Sequence, residues 1–130
     1  MPQIGNIVLK DSADGSHTFA PSDITGGVAT FAEATGTPIG DPRLTIGRTQ
    51  TQAGRRKVTL KLSVPFLSTA VVNGVNRTAV ARVAYANIEF SFDGSSTAGE
   101  RATVRDYVRT LFERTQTMTD GTVVSLQGLF

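Results

Sequence analysis

The side chains best suited to chemistry in this chain lie in residues 44–64. Thr45, Thr49 and Thr51, followed by Lys57, Thr59 and Lys61, occupy odd positions on either side of a basic corner, Ala53-Gly54-Arg55-Arg56-Lys57. Successive strand residues face opposite sides of a sheet, so these polar groups share one face while Val58, Leu60, Leu62 and Val64 take the other. Residues 82–92 alternate in the same way. Val83, Tyr85, Asn87, Glu89 and Ser91 fall on one side, with Ala84, Ala86, Ile88 and Phe90 on the other. Arg43, Arg55 and Arg56 stand near strand ends. Lysine and arginine neutralise phosphates, threonine and asparagine hydrogen-bond base edges, and a tyrosine ring is a platform for an unstacked base. The set suits single-stranded or looped RNA better than duplex DNA, since no segment reads as a helix built for a major groove. A competing reading is a solvated strand face, rich in threonine because threonine suits strands. Glu89 fits that reading, or pairs across strands with Lys61 or an arginine.

Catalytic chemistry is hard to assemble from this composition. His17 is the only histidine and there is no cysteine, so neither a nucleophile and base pair nor an ordinary zinc site can be built. His17, at the start of a small hairpin strand, reads as a surface or packing residue. The carboxylates Asp11, Asp14, Asp23, Glu33, Asp41, Glu89, Asp93, Glu100, Asp106, Glu113 and Asp120 are scattered, and no pair stands out. No glycine-rich motif links a strand to a helix to cradle phosphate. The residues therefore point away from an enzyme and call for no cofactor and no metal.

The elements that must position the polar face follow from periodicity. With 130 residues and a formal net charge of +2, the chain is most economically one domain and tolerates a nucleic-acid partner without demanding one. Ile7, Val8 and Leu9 form one arm of an N-terminal hairpin, Thr18 and Phe19 the other, and Asp14-Gly15 the turn. Residues 21–27 read as a connection, 28–34 as a strand, and 35–42 as a Gly- and Pro-punctuated loop. Residues 44–52 and 56–64 form the central pair, which Pro65 should end because proline removes a ladder donor. Residues 66–81 read as a long connection containing an Asn73-Gly74 turn signal. Thr97-Ala98-Gly99-Glu100 fits a capping box opening a helix of about four turns. Val104, Tyr107, Val108, Leu111 and Phe112 form its apolar stripe, and a second short helix should start near Thr119-Asp120-Gly121, leading to Leu129-Phe130. The fold class is α+β: antiparallel strands followed by two helices. Two helices cover such a sheet thinly, and pairing across a two-fold axis would protect a sheet edge, so an obligate homodimer is expected. No apolar run approaches the roughly 20 residues a membrane span needs. The N-terminus lacks a signal-peptide pattern, so a cytosol-like compartment and no membrane are expected.

These segments together resemble the coat proteins of single-stranded RNA bacteriophages, the levivirus family. The resemblance is carried by Gly26-Gly27-Val28-Ala29, by residues 55–65 and by Ala84-Tyr85-Ala86-Asn87-Ile88-Glu89-Phe90 in this order and spacing, and it runs from Gly5 to Phe130. It implies a single coat protein domain over residues 1–130. Within it, residues 1–21 form a hairpin, 28–92 a five-stranded antiparallel sheet, and 97–130 two helices that pack across a homodimer. It implies a capsid protein of the virion, made in the bacterial host cytoplasm. Its dimers close into an icosahedral, usually T=3, shell around genomic RNA. They also bind an RNA stem-loop operator, repressing replicase translation and promoting packaging. Carried over residue by residue, the adenine-binding positions fall on Val28, Thr45, Thr59 and Lys61, and the stacking tyrosine on Tyr85 beside Asn87. Arg43, Thr49, Thr51, Arg55 and Lys57 match positions contacting the RNA backbone or neighbouring bases. Gly47 stands where a serine is frequent, and Arg55 replaces an asparagine. Residues 66–81 match the loop that gathers at five-fold and quasi-six-fold axes, here without the cysteines that cross-link it in some relatives, so the shell would be held non-covalently. The alternative is a small dimeric β-rich RNA-binding regulator that forms no shell.

Overall fold

A computed structural model describes residues 3–36 and 38–129. Six strands follow one another in chain order: β1 (Ile7–Lys10), β2 (Ser16–Thr25), β3 (Val28–Ala32), β4 (Arg43–Gln50), β5 (Arg56–Val72) and β6 (Val75–Phe92). They form one sheet in which each strand neighbours the next, and the four pairs from β1 to β5 are antiparallel. The sequence suggested a hairpin over residues 1–21 and five strands over 28–92; residues 28–92 instead hold four strands, β3 to β6, and β1 and β2 join them in one six-stranded sheet. A single 3-10 turn, Pro38–Gly40, precedes β4. Two helices follow, α1 (Ala98–Leu111) and α2 (Thr117–Val123). The chain divides into two compact units, one ending at Ser91 and the other starting at Phe92.

The first unit is organised by its turns. Asp14 adopts φ 61° in the β1 to β2 turn, so the aspartate of Asp14-Gly15 supplies the left-handed residue. Aspartate tolerates that region better than most residues. Gly26 and Gly27, at φ 59° and 80°, close the β2 to β3 hairpin, as a two-residue turn with both residues left-handed requires. The expected connection over residues 21–27 is therefore largely strand. Pro21 is accommodated because the pairing register shifts between Pro21 and Asp23, and a bulge is one of the few places a strand accepts proline.

The expected stop at Pro65 and the long connection over residues 66–81 are also corrected. β5 runs through Pro65 to Val72 and returns as β6 through Asn73-Gly74 alone, at φ 53° and 77°. β4 pairs with β5 only as far as Arg43↔Ser63. At Pro65 one edge of β5 has therefore lost its neighbour, so a missing N–H costs little there. The 3-10 turn seats the base of this long arm: a Cβ on Gly40 would stand 2.6 Å from Leu67 Cδ1.

The core of this unit lies on one face of the sheet. Phe19, Phe31 and Leu44 are buried, with Ile7, Leu9, Ala29, Ile46 and Leu62 packed against them. Register explains the grouping, because Ile7 pairs with Phe19, and Phe31, Leu44 and Leu62 are successive cross-strand partners. In the second unit, Thr97 caps α1 by accepting the Glu100 amide at 3.2 Å, the contact the capping box anticipates. α2 begins at Thr117, two residues earlier than expected, and holds Gly121 inside it. Neither helix has a buried residue, and Val104, Leu111 and Phe112 are 40%, 49% and 56% exposed. Phe130, at the end of the expected second helix segment, lies outside the described residues.

Candidate nucleic-acid interface

The face opposite the core is polar and laid out in cross-strand rows. Val28 pairs with Gly47, and Gly47 with Thr59. One step along, Thr30 pairs with Thr45, and Thr45 with Lys61. Arg43 stands opposite Ser63 at one end, and Thr49 opposite Lys57 toward the other. Directly opposed residues in an antiparallel pair share a face and lie about 4.5–5.5 Å apart at Cβ. Val28, Thr45, Thr59 and Lys61 are thus assembled from three strands into one patch. A one-residue slip would turn Phe31, Leu44 and Leu62 outward, so burial of the core fixes this register.

Gly47 has a local reason. A Cβ at this position would meet Val28 Cγ2 at 3.1 Å, so the missing side chain lets Val28 lie across β4 in the middle of the patch. The result is an apolar floor, Val28 beside Gly47, with Thr45, Thr59 and Lys61 at the neighbouring register positions of the same face.

β6 contributes the far side. Lys57 Nζ is 3.7 Å from Glu89 Oε1, and Arg55 donates through Nε to Ser91 Oγ at 3.0 Å and through its terminal nitrogen to the Ser91 carbonyl at 3.3 Å. These contacts bring Glu89 and Ser91 to the polar face. Alternation within β6 puts Tyr85 and Asn87 on the same side. Glu89 meets Lys57, not Lys61, which leaves Lys61 beside Thr45. The Lys57 and Glu89 side chains are about half exposed, so their pairing contributes little stability. Tyr85 is 73% exposed.

Two expected residues behave differently from the strand positions. Thr51 lies in the β4 to β5 turn, where its hydroxyl accepts the Arg55 amide at 3.1 Å and its own amide donates to the Arg55 carbonyl at 2.8 Å. It shapes the corner that presents Arg55. Arg43 enters β4 from a loop fixed by Asp41, whose Oδ1 accepts the Thr35 hydroxyl at 2.7 Å and the Thr35 amide at 3.0 Å. Those hydrogen bonds, with a smaller effect from the nearby Arg43 charge, hold the Asp41 carboxyl below its usual range. Thr30 was missed in the sequence. It follows Val28 at a strand's period of two, and only the pairing of β3 with β4 reveals its place beside Thr45.

Across residues 2–130 the sequence matches the family model described as levivirus coat protein. The chain belongs to the levivirus coat protein family. Its relatives include the capsid protein of Pseudomonas phage PRR1, 38% identical over 130 residues that cover 98% of this chain and 99% of that protein. Among solved structures, the virus-like particle of Beihai levi-like virus 21 superposes with a TM-score of 0.84 at 26% identity, covering 99% of each chain. The capsid protein of bacteriophage GA does so with a TM-score of 0.82 at 26% identity, covering 97% of each. As a levivirus coat protein, the molecule is a structural component of a phage particle and not an enzyme.

Proposed function

We propose that this coat protein forms homodimers that close into an icosahedral T=3 shell around genomic RNA. Its polar sheet face grips an RNA stem-loop, so that the dimer represses replicase translation and marks the genome for packaging. The protein is made in the bacterial host cytoplasm and ends in the virion. The observation that carries the RNA reading is the juxtaposition of Val28 and Gly47 with Thr45, Thr59 and Lys61 in adjacent cross-strand rows. A base can lie on the apolar floor while two hydroxyls and an ammonium meet its edge and its phosphate. Arg43, Thr49, Arg55 and Lys57 extend the cationic and hydroxyl lining along the same face. Tyr85 offers an open ring for a second base, with Asn87 beside it, and Thr51 acts by shaping the Arg55 corner.

Dimerisation is supported by two apolar surfaces the protomer leaves open. One is the α1 stripe of Val104, Leu111 and Phe112. The other is a groove of about 700 Å³ on the core side of the sheet, lined in part by Ile4, Ile7, Ile24, Ala29, Phe31 and Ile46. Exposed apolar side chains grouped on one helix stripe and in one groove are candidates for burial against a second copy. Shell formation is supported by the likeness to a chain solved as a virus-like particle.

Ultraviolet cross-linking of RNA retained by the purified protein tests the site. Cross-links should fall on peptides carrying residues 43–61 and 85–87. Cross-links confined to the helices or to the core-side face would overturn the assignment.

A further inference from the structure

The single histidine is engaged on both sides. His17 lies on β2 opposite Leu9. Its Nδ1 is 2.6 Å from Glu33 Oε2, just past the end of β3, and its Nε2 is 2.7 Å from Asp11 Oδ2 in the β1 to β2 turn. A carboxylate can only accept, and a neutral imidazole carries one N–H. Both contacts are therefore hydrogen bonds only when the ring holds two protons.

The Asp11 carboxylate and the Glu33 backbone are each anchored independently of the ring. Asp11 Oδ1 accepts the amides of Ala13 at 2.9 Å and Gly15 at 2.8 Å. Gly15 leaves room for this, because a Cβ there would stand 2.9 Å from Asp11 Oδ2. Glu33 is held through its backbone, its amide donating to the Pro42 carbonyl at 3.1 Å. The ring thus ties the first turn, six residues before it, to the exit of β3, 16 residues after it.

We propose that Asp11, His17 and Glu33 form a proton-operated clamp, in which the imidazolium pins the β1 to β2 turn to the end of β3 and loss of its proton loosens the N-terminal hairpin. The consequence reaches the core. β1 is the edge strand, and its Ile7 is the cross-strand partner of Phe19, one of three buried core residues. Loosening β1 uncovers Phe19 and opens the edge of β2.

The charged groups around the ring agree in sign. Asp11 and Glu33 face it directly and Asp14 sits in the same turn, while Lys10 alternates to the other face of β1. On the segment entering β4, Asp41 is tied to Thr35, with Arg43 beyond it. The hydrogen bond to Asp11, then that to Glu33, outweigh partial burial and raise the His17 pKa above its ordinary 6.5. The same contact with His17 leads the effects that lower the Asp11 pKa below 3.8. A histidine with a raised folded pKa contributes stability that is complete below its unfolded pKa and lost as pH rises through the folded value. Asp11, with a lowered pKa, keeps its contribution above its unfolded value and loses it as pH falls through the folded one. The clamp is therefore tightest in mild acid and releases as pH rises through the raised His17 midpoint.

With one histidine in the chain, its ring resonances are unambiguous in NMR of the full chain before assembly. His17 should titrate above 6.5, and Asp11→Asn and Glu33→Gln should each move its midpoint back toward 6.5. Separately, the melting temperature of wild type should exceed that of His17→Gln in mild acid, and the gap should shrink as pH rises past the His17 midpoint. A wild-type midpoint at or below 6.5 would overturn the proposal, as would a melting difference that does not change with pH. The titration needs no variant, so it decides the matter even if His17→Gln fails to fold.

Discussion

Tyr85→Ala separates recognition from stability more cleanly than any other change on the polar face. The side chain is 73% exposed, so its removal opens no cavity. Exposed substitutions of this kind usually alter stability by no more than about 0.5 kcal/mol. If a looped base stacks on the ring, the loss should cost about 1–3 kcal/mol of binding. At roughly 1.4 kcal/mol per tenfold, the dissociation constant should rise about 5- to 150-fold. The assay is filter binding at fixed salt, using a stem-loop selected from RNA that copurifies with the protein, alongside thermal melting. Tyr85→Phe keeps the ring and should bind within a few-fold of wild type. Lys61→Ala provides a contrast, because losing a phosphate contact should reduce the salt slope by about one. Equal affinities for wild type, Tyr85→Ala and Tyr85→Phe, with unchanged melting, would refute stacking at this position.

Phe31→Ala removes the centre of a three-residue core and should cost about 3–5 kcal/mol in chemical denaturation. An unchanged midpoint would contradict the packing described. Leu111→Glu places a charge in the exposed α1 stripe and should abolish soluble dimer in sedimentation; a folded, wild-type-like dimer would show that this stripe is not an association surface. Gly74→Ala has open space around its Cβ but sits at φ 77°, so it should cost about 1–2 kcal/mol through backbone strain alone. That cost should speed amide exchange at the β5 to β6 tip, and unchanged exchange there would contradict the turn geometry.

The sequence was most legible where one periodicity dominated. Alternation through residues 44–64 assigned Thr45, Thr59 and Lys61 to one face because any slip would expose Leu44 and Leu62. Thr97 and Glu100 announced the start of α1 for a similarly local reason. Proline misled at Pro65, and the connection expected over residues 21–27 is largely strand. The missing N–H of a proline matters only where a neighbouring strand needs it, and the bulge in β2 and the end of β4 are tertiary facts. Asn73-Gly74 signalled a turn correctly, but only pairing distinguishes a tight hairpin from a turn within a longer loop. Thr30 and the partner of Glu89 depended on strand adjacency. His17 was read as a surface or packing residue, but its partners could not be named, because Asp11 and Glu33 come from different elements and one of them is 16 residues away.

The central claim is that this chain builds an RNA-filled shell. Light scattering with negative-stain microscopy on the protein expressed alone tests it directly, with particle mass and nucleic-acid absorbance read from the same fractions. The account predicts closed, uniform particles carrying host RNA, which dissociate without reductant. A stable dimer that never assembles, even with RNA added, would contradict it.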